Sequence, residues 1–276
     1  MMAMTLKATG WPRSALLATS VAFSMWAGAP LHAQDMMSHV DLGSPAFSQS
    51  EMTRAELEKQ LAGLKDGETL DLSAKALNGL DLSGLDLRRV NLQSARLNNT
   101  NLRNANLDGV VLDQAWALKA DLTDASLKGA HLFMTQLIGA KLDGANFEGA
   151  RVAADMSRAS LKGANFKGAD LSADMTNQSM GLMRGVFASA DLSGASFENA
   201  NLARVQMEFA DLSGADLTGA DLSGSELAGA NLTGANVAGA NFAGADVNSA
   251  KLFKLEAADK ALNFSNAKNL DRAFRD

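Results

Sequence analysis

The chain has 276 residues, with no cysteine, no tyrosine, three histidines, three prolines and only 5% aromatic residues. The lack of cysteine excludes a disulfide framework, a thiolate zinc site, a thiol nucleophile and a lipid-modified N-terminal cysteine. So few histidines leave little material for imidazole-based metal or acid–base chemistry. A formal charge of -6 and a pI near 5.1 oppose a basic nucleic-acid-binding surface. An ordinary globular core of this size would hold many more rings. The 47% hydrophobic content is therefore carried by Leu, Ala, Met and Val.

At the N-terminus, Lys7 and Arg13 precede an uncharged apolar run from Ser14 to Ala29, followed by Pro30 and Leu31-His32-Ala33. A charged start, a short apolar middle and a small residue before a polar segment predict a cleavable secretory signal over residues 1–33. The run is shorter than the roughly 20 residues needed to span a bilayer. Cleavage after Ala33 gives a mature formal charge of -8 and leaves Trp116 as the only tryptophan. The expected location is the periplasm or the exterior, with no membrane association after cleavage.

Residues 34–50 lack periodicity and read as a flexible leader. Thr53-Arg54-Ala55-Glu56 is a capping box, which predicts a helix within 51–69. Leu57, Leu61 and Leu64 form its apolar stripe, and Gly67 is its expected stop. The stripe suits a lid on the structure that follows.

From Leu72 the sequence repeats every five residues, as in Ala210-Asp211-Leu212-Ser213-Gly214-Ala215-Asp216-Leu217. With i as the Leu position, 38 such positions lie between Leu72 and Ala257, filled by 24 Leu, 5 Phe, 4 Met, 3 Val and 2 Ala. Position i-2 is Ala 25 times, i-1 is mostly polar, and i+2 is very often Gly. Residues i-2, i-1 and i alternate in-out-in as a three-residue extended piece. The pair i+1 and i+2 suits a turn needing positive φ. If each turn rotates the chain by about 90°, four repeats close a square coil, and coils stack about 4.8 Å apart.

The spacing slips at Val152–Met156, at Leu171–Met175 and at Met180–Phe187. Counted as two losses and one compensating gain, these keep Met175 and Met180 inward and restore the frame by Leu192. The same count stacks Phe147, Phe166 and Phe187 in one column and places Asp174 over Asp155.

Ala105-Asn106-Leu107, Ala190-Asp191-Leu192 and Ala230-Asn231-Leu232 resemble the A-(D/N)-L-x-x motif of the pentapeptide-repeat family. The resemblance covers about residues 70–259, with 260–276 left as a C-terminal cap or tail. It implies an all-β solenoid, a right-handed quadrilateral β-helix. It implies little about activity, because fold does not fix function. Some members of the family resemble DNA in shape and charge and bind topoisomerases.

No P-loop, dinucleotide fingerprint, zinc motif or nucleophile elbow is present. No catalytic, cofactor-binding or metal site is expected, and the chain reads as non-enzymatic. His131 is a lone outward residue. Residues 187–259 hold ten acids against Arg204, Lys251 and Lys254, an acidic surface represented by Asp191, Asp211, Asp216, Asp221 and Glu226. Stacked carboxylates such as Asp191 and Asp211 read mainly as a solvated face. Outward apolar residues are rarer. Val111, Trp116, Leu118, Phe133, Met134 and Ile138 form a candidate interface for self-association or an unknown protein partner, with the leader as the alternative cover. The expected function is that of an exported binding or scaffold protein. The alternative is a DNA-mimicking topoisomerase-binding protein that uses the acidic half.

Overall fold

The computed structural model describes residues 43–175 and 183–276. The signal segment, the leader up to residue 42 and Met180 lie outside the described residues.

Two short helices precede the repeats, α1 (Pro45–Ser48) and α2 (Arg54–Ala62). The capping box forms as the sequence predicts. Thr53 Oγ1 accepts from Glu56 N, and Glu56 Oε2 accepts from Thr53 N at 2.8 Å. The helix ends earlier than expected, at Gly63, whose N–H reaches the carbonyls of Lys59, Gln60 and Leu61. Gly67 (φ 81) serves the turn beyond. Leu57 is buried, while Leu61 packs at the edge of the core beside Leu70, Leu80 and Leu85. The larger i-2 residues of the first coil and the apolar stripe of α2 thus pack against the same core, and α2 covers that end of the solenoid. Arg54 fastens the lid by donating to the carbonyls of Asp81 and Ser83.

The repeats form stacked parallel bridges whose partners lie 20 residues apart, such as Asn91↔Val111, Arg96↔Trp116, Asn101↔Asp121 and Asn106↔Ser126. Only β1 (Leu70–Asp71) with β2 (Val90–Asn91), and β3 (Lys251–Leu252) with β4 (Phe274–Arg275), are long enough to be named strands among the described residues. Four such columns make a square β-helix. In each, i-1 points outward while i-2 and i fill the interior, so Leu217, Leu222 and Leu227 are fully buried.

Each regular repeat contains five backbone N–H groups, and the main chain pairs four of them. In the repeat around Leu97, Arg96 N donates down to Lys75 O, while Leu97 N and Asn99 N donate up to Trp116 O and Leu118 O. Thr100 N closes the corner onto Leu97 O at 3.1 Å. The remaining N–H, at i+1, points out of the corner. An Asp or Asn at i-1 captures it, as Asp211 Oδ1 does from Ser213 N (3.0 Å) and Asn231 Oδ1 from Thr233 N (3.2 Å). The D/N preference at i-1 is therefore a hydrogen-bonding requirement of the corner as well as solvation.

Where i-1 cannot accept in this way, a second arrangement appears. Leu118 N, behind Trp116, is held by Asn98 Oδ1 of the coil below, and Phe133 N, behind His131, by Asp113 Oδ1. Asn98 N is in turn held by Asn78 Oδ1. An Asx residue at i+1 of one coil thus frees i-1 of the next to carry any side chain.

The structure revises the reading of the irregular region. The first slip is a true one-residue deletion, since Gln136↔Asp155 and Arg151↔Asp170 are 19 residues apart. The second is an insertion. Asp155 pairs with Val186 and Asp170 with Asn201, each 31 residues on. The eleven residues beyond a normal coil are 174–184, because Ala173 N still bonds Ala203 O and Gly185 N returns to Leu171 O. Met175 is consequently 49% exposed, and Asp174 does not sit over Asp155. The phenylalanine column is Phe147, Phe166 and Phe197, with parallel rings 4.6 and 5.0 Å apart, whereas Phe187 meets Phe166 edge-on from the opposite side.

The solenoid also runs past residue 259. The spacing widens to six, and Leu262, Lys268 and Phe274 continue three of the columns. The corners become 3-10 turns, Ala258–Lys260, Phe264–Asn266 and Leu270–Arg272, each entered through a left-handed Ala257, Asn263 or Asn269. The wider coil lets Phe264 reach Phe242 edge-on at 5.0 Å.

Removing residues 174–184 joins Ala173 to Gly185 and restores an unbroken repeat. The shortened protein is expected to show a single cooperative melt close to that of the parent. At the corners, Asp216→Asn retains the acceptor for Thr218 N, whereas Asp216→Ala removes it at a cost of about 0.5–1.5 kcal/mol. Chemical denaturation of the pair measures the difference.

Candidate interaction surface

The interior is filled with aliphatic and phenyl groups, so the chemistry available to other molecules lies on the outer columns and corners. Among the described residues no group of three or more His, Asp or Glu side chains is arranged to hold a metal ion. Among the same residues no helix is long and apolar enough to cross a membrane.

The candidate interface lies on two adjoining sides. Val111 stands between Asn91 and His131 in one column, and Trp116 between Arg96 and Gln136 in the next. Leu118 and Ile138 follow Trp116 and Gln136 at the next corner, one coil apart. Phe133 and Met134 occupy the corner before it. Met134 is the most open, at 37% exposed, and the others are half-buried.

Trp116 is not free. Phe47, on α1, meets the indole edge-on with ring centroids 5.1 Å apart. The backbone around Phe47 is held by the corner asparagines: Asn78 Nδ2 donates to Ala46 O and Gln49 O, and Asn98 Nδ2 to Phe47 O. Ser50 adds an antiparallel bridge to Leu77. Below it, Glu51 pairs with Lys75 at 3.2 Å and Arg96 at 3.1 Å. The Lys75 ammonium, with the Ala76 N–H and Arg96, holds the Glu51 carboxyl below its ordinary value. The end of the expected flexible leader is thus a strap on the solenoid. The sequence marks it only by Phe47, the single phenylalanine of residues 34–50, and offers nothing that pairs Phe47 with Trp116. The strap takes Trp116 out of the open patch and leaves Val111, Leu118, Phe133, Met134 and Ile138.

The five acidic residues do not share one face. Asp191 and Asp211 stack in one column, with Asp216, Asp221 and Glu226 on the three succeeding sides. Four of them cap their own corners: Asp191, Asp211, Asp216 and Asp221 accept from Ser193, Ser213, Thr218 and Ser223 N–H groups. Partial burial pushes the Asp191 carboxyl up. The Ser193 hydroxyl and N–H, together with Lys162 at 3.2 Å, more than offset this and leave it below its ordinary value. Asn231 and Asn241 donate to Asp211 and Asp221 from the coil above, so each of these carboxylates accepts from two neighbours.

Glu226 differs, being paired with Arg184 at 2.9 Å at the end of the insertion. Beside it, burial followed by the proximity of Glu226 pushes the Glu208 carboxyl up, against opposing hydrogen bonds from its own backbone and Gln206. The insertion borders an open cleft of about 630 Å³ lined by Asp174, Arg184, Arg204, Glu226, Asp246 and Lys268, among others. Its cations and carboxylates are balanced, with no arrangement of nucleophile and base.

One exposed feature escapes the pattern of outward apolar residues read from the sequence. Phe209 sits at i+2 in a left-handed conformation (φ 59) and is 71% exposed. The available signal is an aromatic residue at a position usually occupied by Gly, followed one coil later by Gly229.

The chain matches the family described as pentapeptide repeats, in eight copies, over residues 76–109, 105–142, 120–153, 152–173, 186–219 and 215–252. The matched stretches break at the insertion. No curated protein matches the chain. Among solved structures it is similar to HetL, a pentapeptide repeat protein involved in heterocyst differentiation regulation from the cyanobacterium Nostoc sp. strain PCC 7120. The identity is 29%, covering 81% of this chain and 94% of HetL, with a TM-score of 0.40. QnrB1, a plasmid-mediated fluoroquinolone resistance protein, is 19% identical over 75% of this chain and 92% of its own, with a TM-score of 0.49. Rfr23, from the cyanobacterium Cyanothece 51142, is 27% identical over 42% of this chain and 64% of its own, with a TM-score of 0.22. None of these overlays reaches 0.5, so the assignment rests on the repeats themselves. With repeats matched over more than half its length, the chain belongs to the pentapeptide-repeat family, whose fold is the right-handed quadrilateral β-helix.

Proposed function

We propose that this protein is an exported, non-enzymatic binding or scaffold protein that acts through the outer surface of its β-helix. The observation that carries the reading is the division between a solid apolar interior and a variable exterior. Inward positions from Leu72 to Leu252 are mostly buried Leu, Phe, Val, Met and Ala, with Thr100, Thr135 and Ser225 as buried polar exceptions. Outward positions are free to vary because corner N–H groups can be capped in two different ways. Val111, Leu118, Phe133, Met134 and Ile138 form the contact patch in this proposal, and their partner is a second protein or a second copy of this chain. Apolar patches with such rims are typical of protein contacts. Export is supported by the signal-like composition of Lys7–Ala33, and places the protein in the periplasm or outside the cell.

The acidic half supports the DNA-mimicking, topoisomerase-binding alternative through net charge alone. Its carboxylates wind around all four sides and serve largely as corner caps, and no described contact favours that reading.

N-terminal sequencing of the protein from fractionated cells tests export. The proposal predicts a start near Gln34 in the exported fraction. Full-length protein confined to the cytoplasm would remove the export claim and favour DNA mimicry. In the processed chain Trp116 is a single-tryptophan reporter. Its emission should be blue-shifted by the strap, and Phe47→Ala should shift it to the red and make it more accessible to quencher.

A further inference from the structure

Phe209 is the most exposed of the large hydrophobic side chains identified as exposed, which also include Met134, Met175, Leu262 and Phe274. Its backbone is left-handed, a conformation that bulky L-residues adopt at a cost and that Gly adopts freely. The equivalent corners of the coils above and below hold Ser189, Gly229 and Ser249. The Phe209 ring lies across Gly229, where a Cβ would come within 2.6 Å of ring carbons. An aromatic group at this corner thus combines backbone strain with exposure to water, and the next coil is shaped to let it lie there. Neither feature helps to close the coil.

The charged residues nearest to Phe209 in the chain are both acids. Glu208 precedes the ring and Asp211 follows it. Neither makes an ion pair among the described residues, in contrast to Asp191 with Lys162 and Glu226 with Arg184. Glu208 Oε1 accepts from Gln206, and its Oε2 is enclosed on the side of Glu226, which leaves Oε1 as the oxygen open to a partner.

We infer that the corner at Phe209 is a docking point for a basic segment of a protein partner, with the ring as its apolar anchor and Glu208 and Asp211 as counter-charges for lysine or arginine. The inference rests on the reading of the rod as a binding surface and identifies the partner's chemistry. Exposed rings attract both aliphatic side chains and cations, and flanking carboxylates select the positive partner and speed its approach. A second copy of this chain is the poorer occupant, because the half of the rod surrounding Phe209 is strongly acidic and would repel itself.

The test uses a short fluorescent peptide of alternating lysine and leucine, with a lysine–serine peptide of equal charge as control. Binding is measured to the wild-type chain, Phe209→Gly, Glu208→Gln and Phe133→Ser. The wild type is expected to prefer the lysine–leucine peptide by about tenfold, with affinity falling as salt rises. Phe209→Gly should abolish the preference while melting at or above the wild-type temperature, and Glu208→Gln should weaken both peptides. Three results would overturn the inference. One is an unchanged preference in Phe209→Gly, and another is a lower melting temperature for that variant, which would make the ring structural. The third is sedimentation showing a wild-type dimer that Phe209→Gly dissociates. If Phe133→Ser alone removes the preference, the Phe209 site is wrong while the binding-module reading stands.

Discussion

The whole structure depends on closing a square in four very short sides while landing each inward side chain on its counterpart one coil below. A three-residue side leaves room for two inward groups, and both cannot be large. Alanine at i-2 and a leucine-sized residue at i satisfy that limit. Ala195, Ala215 and Ala235 are accordingly enclosed together with their larger partners Phe197, Leu217 and Val237, which fill the space the alanines leave. The backbone ladder follows from the same geometry. Once the coils are in register, four of the five N–H groups of a repeat are paired by main chain, and a single outward group remains for the sequence to satisfy.

That remaining N–H links fold to surface. When Asp or Asn at i-1 accepts it, the side of the rod is polar and carboxylate-rich. Asp71 is held below the ordinary carboxylate value first by the Ser73 N–H and then by its hydroxyl, and Asp81 first by the Ser83 hydroxyl and then by its N–H. Because each folded value is depressed, their stabilising effect is present above the unfolded value and is lost as pH falls through the folded one. When the acceptor comes from the coil below, as with Asn98 and Asp113, the i-1 position is released, and Trp116 and His131 can appear. The apolar patch and the strap over it occur where this second arrangement operates.

Much of this is legible in the sequence. The five-residue period states the coil, and Thr53 with Glu56 states the start of the lid. The insertion is hidden because Met175 and Met180 are apolar and spaced like inward residues, so an inserted segment imitates two further repeats. Only pairing distinguishes them, and it exchanges Phe187 for Phe197 in the ring column. The final coil escapes the pattern because its period changes from five to six, which keeps Ala261, Ala267 and Ala273 at its edge but breaks the frame. For the surface, Trp116 and its neighbours are recognisable by position. Their cover is not, because Phe47 reaches Trp116 through contacts between residues far apart in sequence. The carboxylates are countable, but their separation onto four sides requires the coil register.

The solenoid depends on the strict separation of inside from outside. The most direct measurement is the unfolding free energy of Ala215→Leu beside that of Ala228→Leu. Ala215 is an enclosed i-2 residue and Ala228 an outward corner residue. Overpacking a filled core costs about 1–3 kcal/mol, so Ala215→Leu is expected to lose at least that much while Ala228→Leu stays within about 0.5 kcal/mol of wild type. Equal stabilities for the two variants would contradict the assignment of interior and surface.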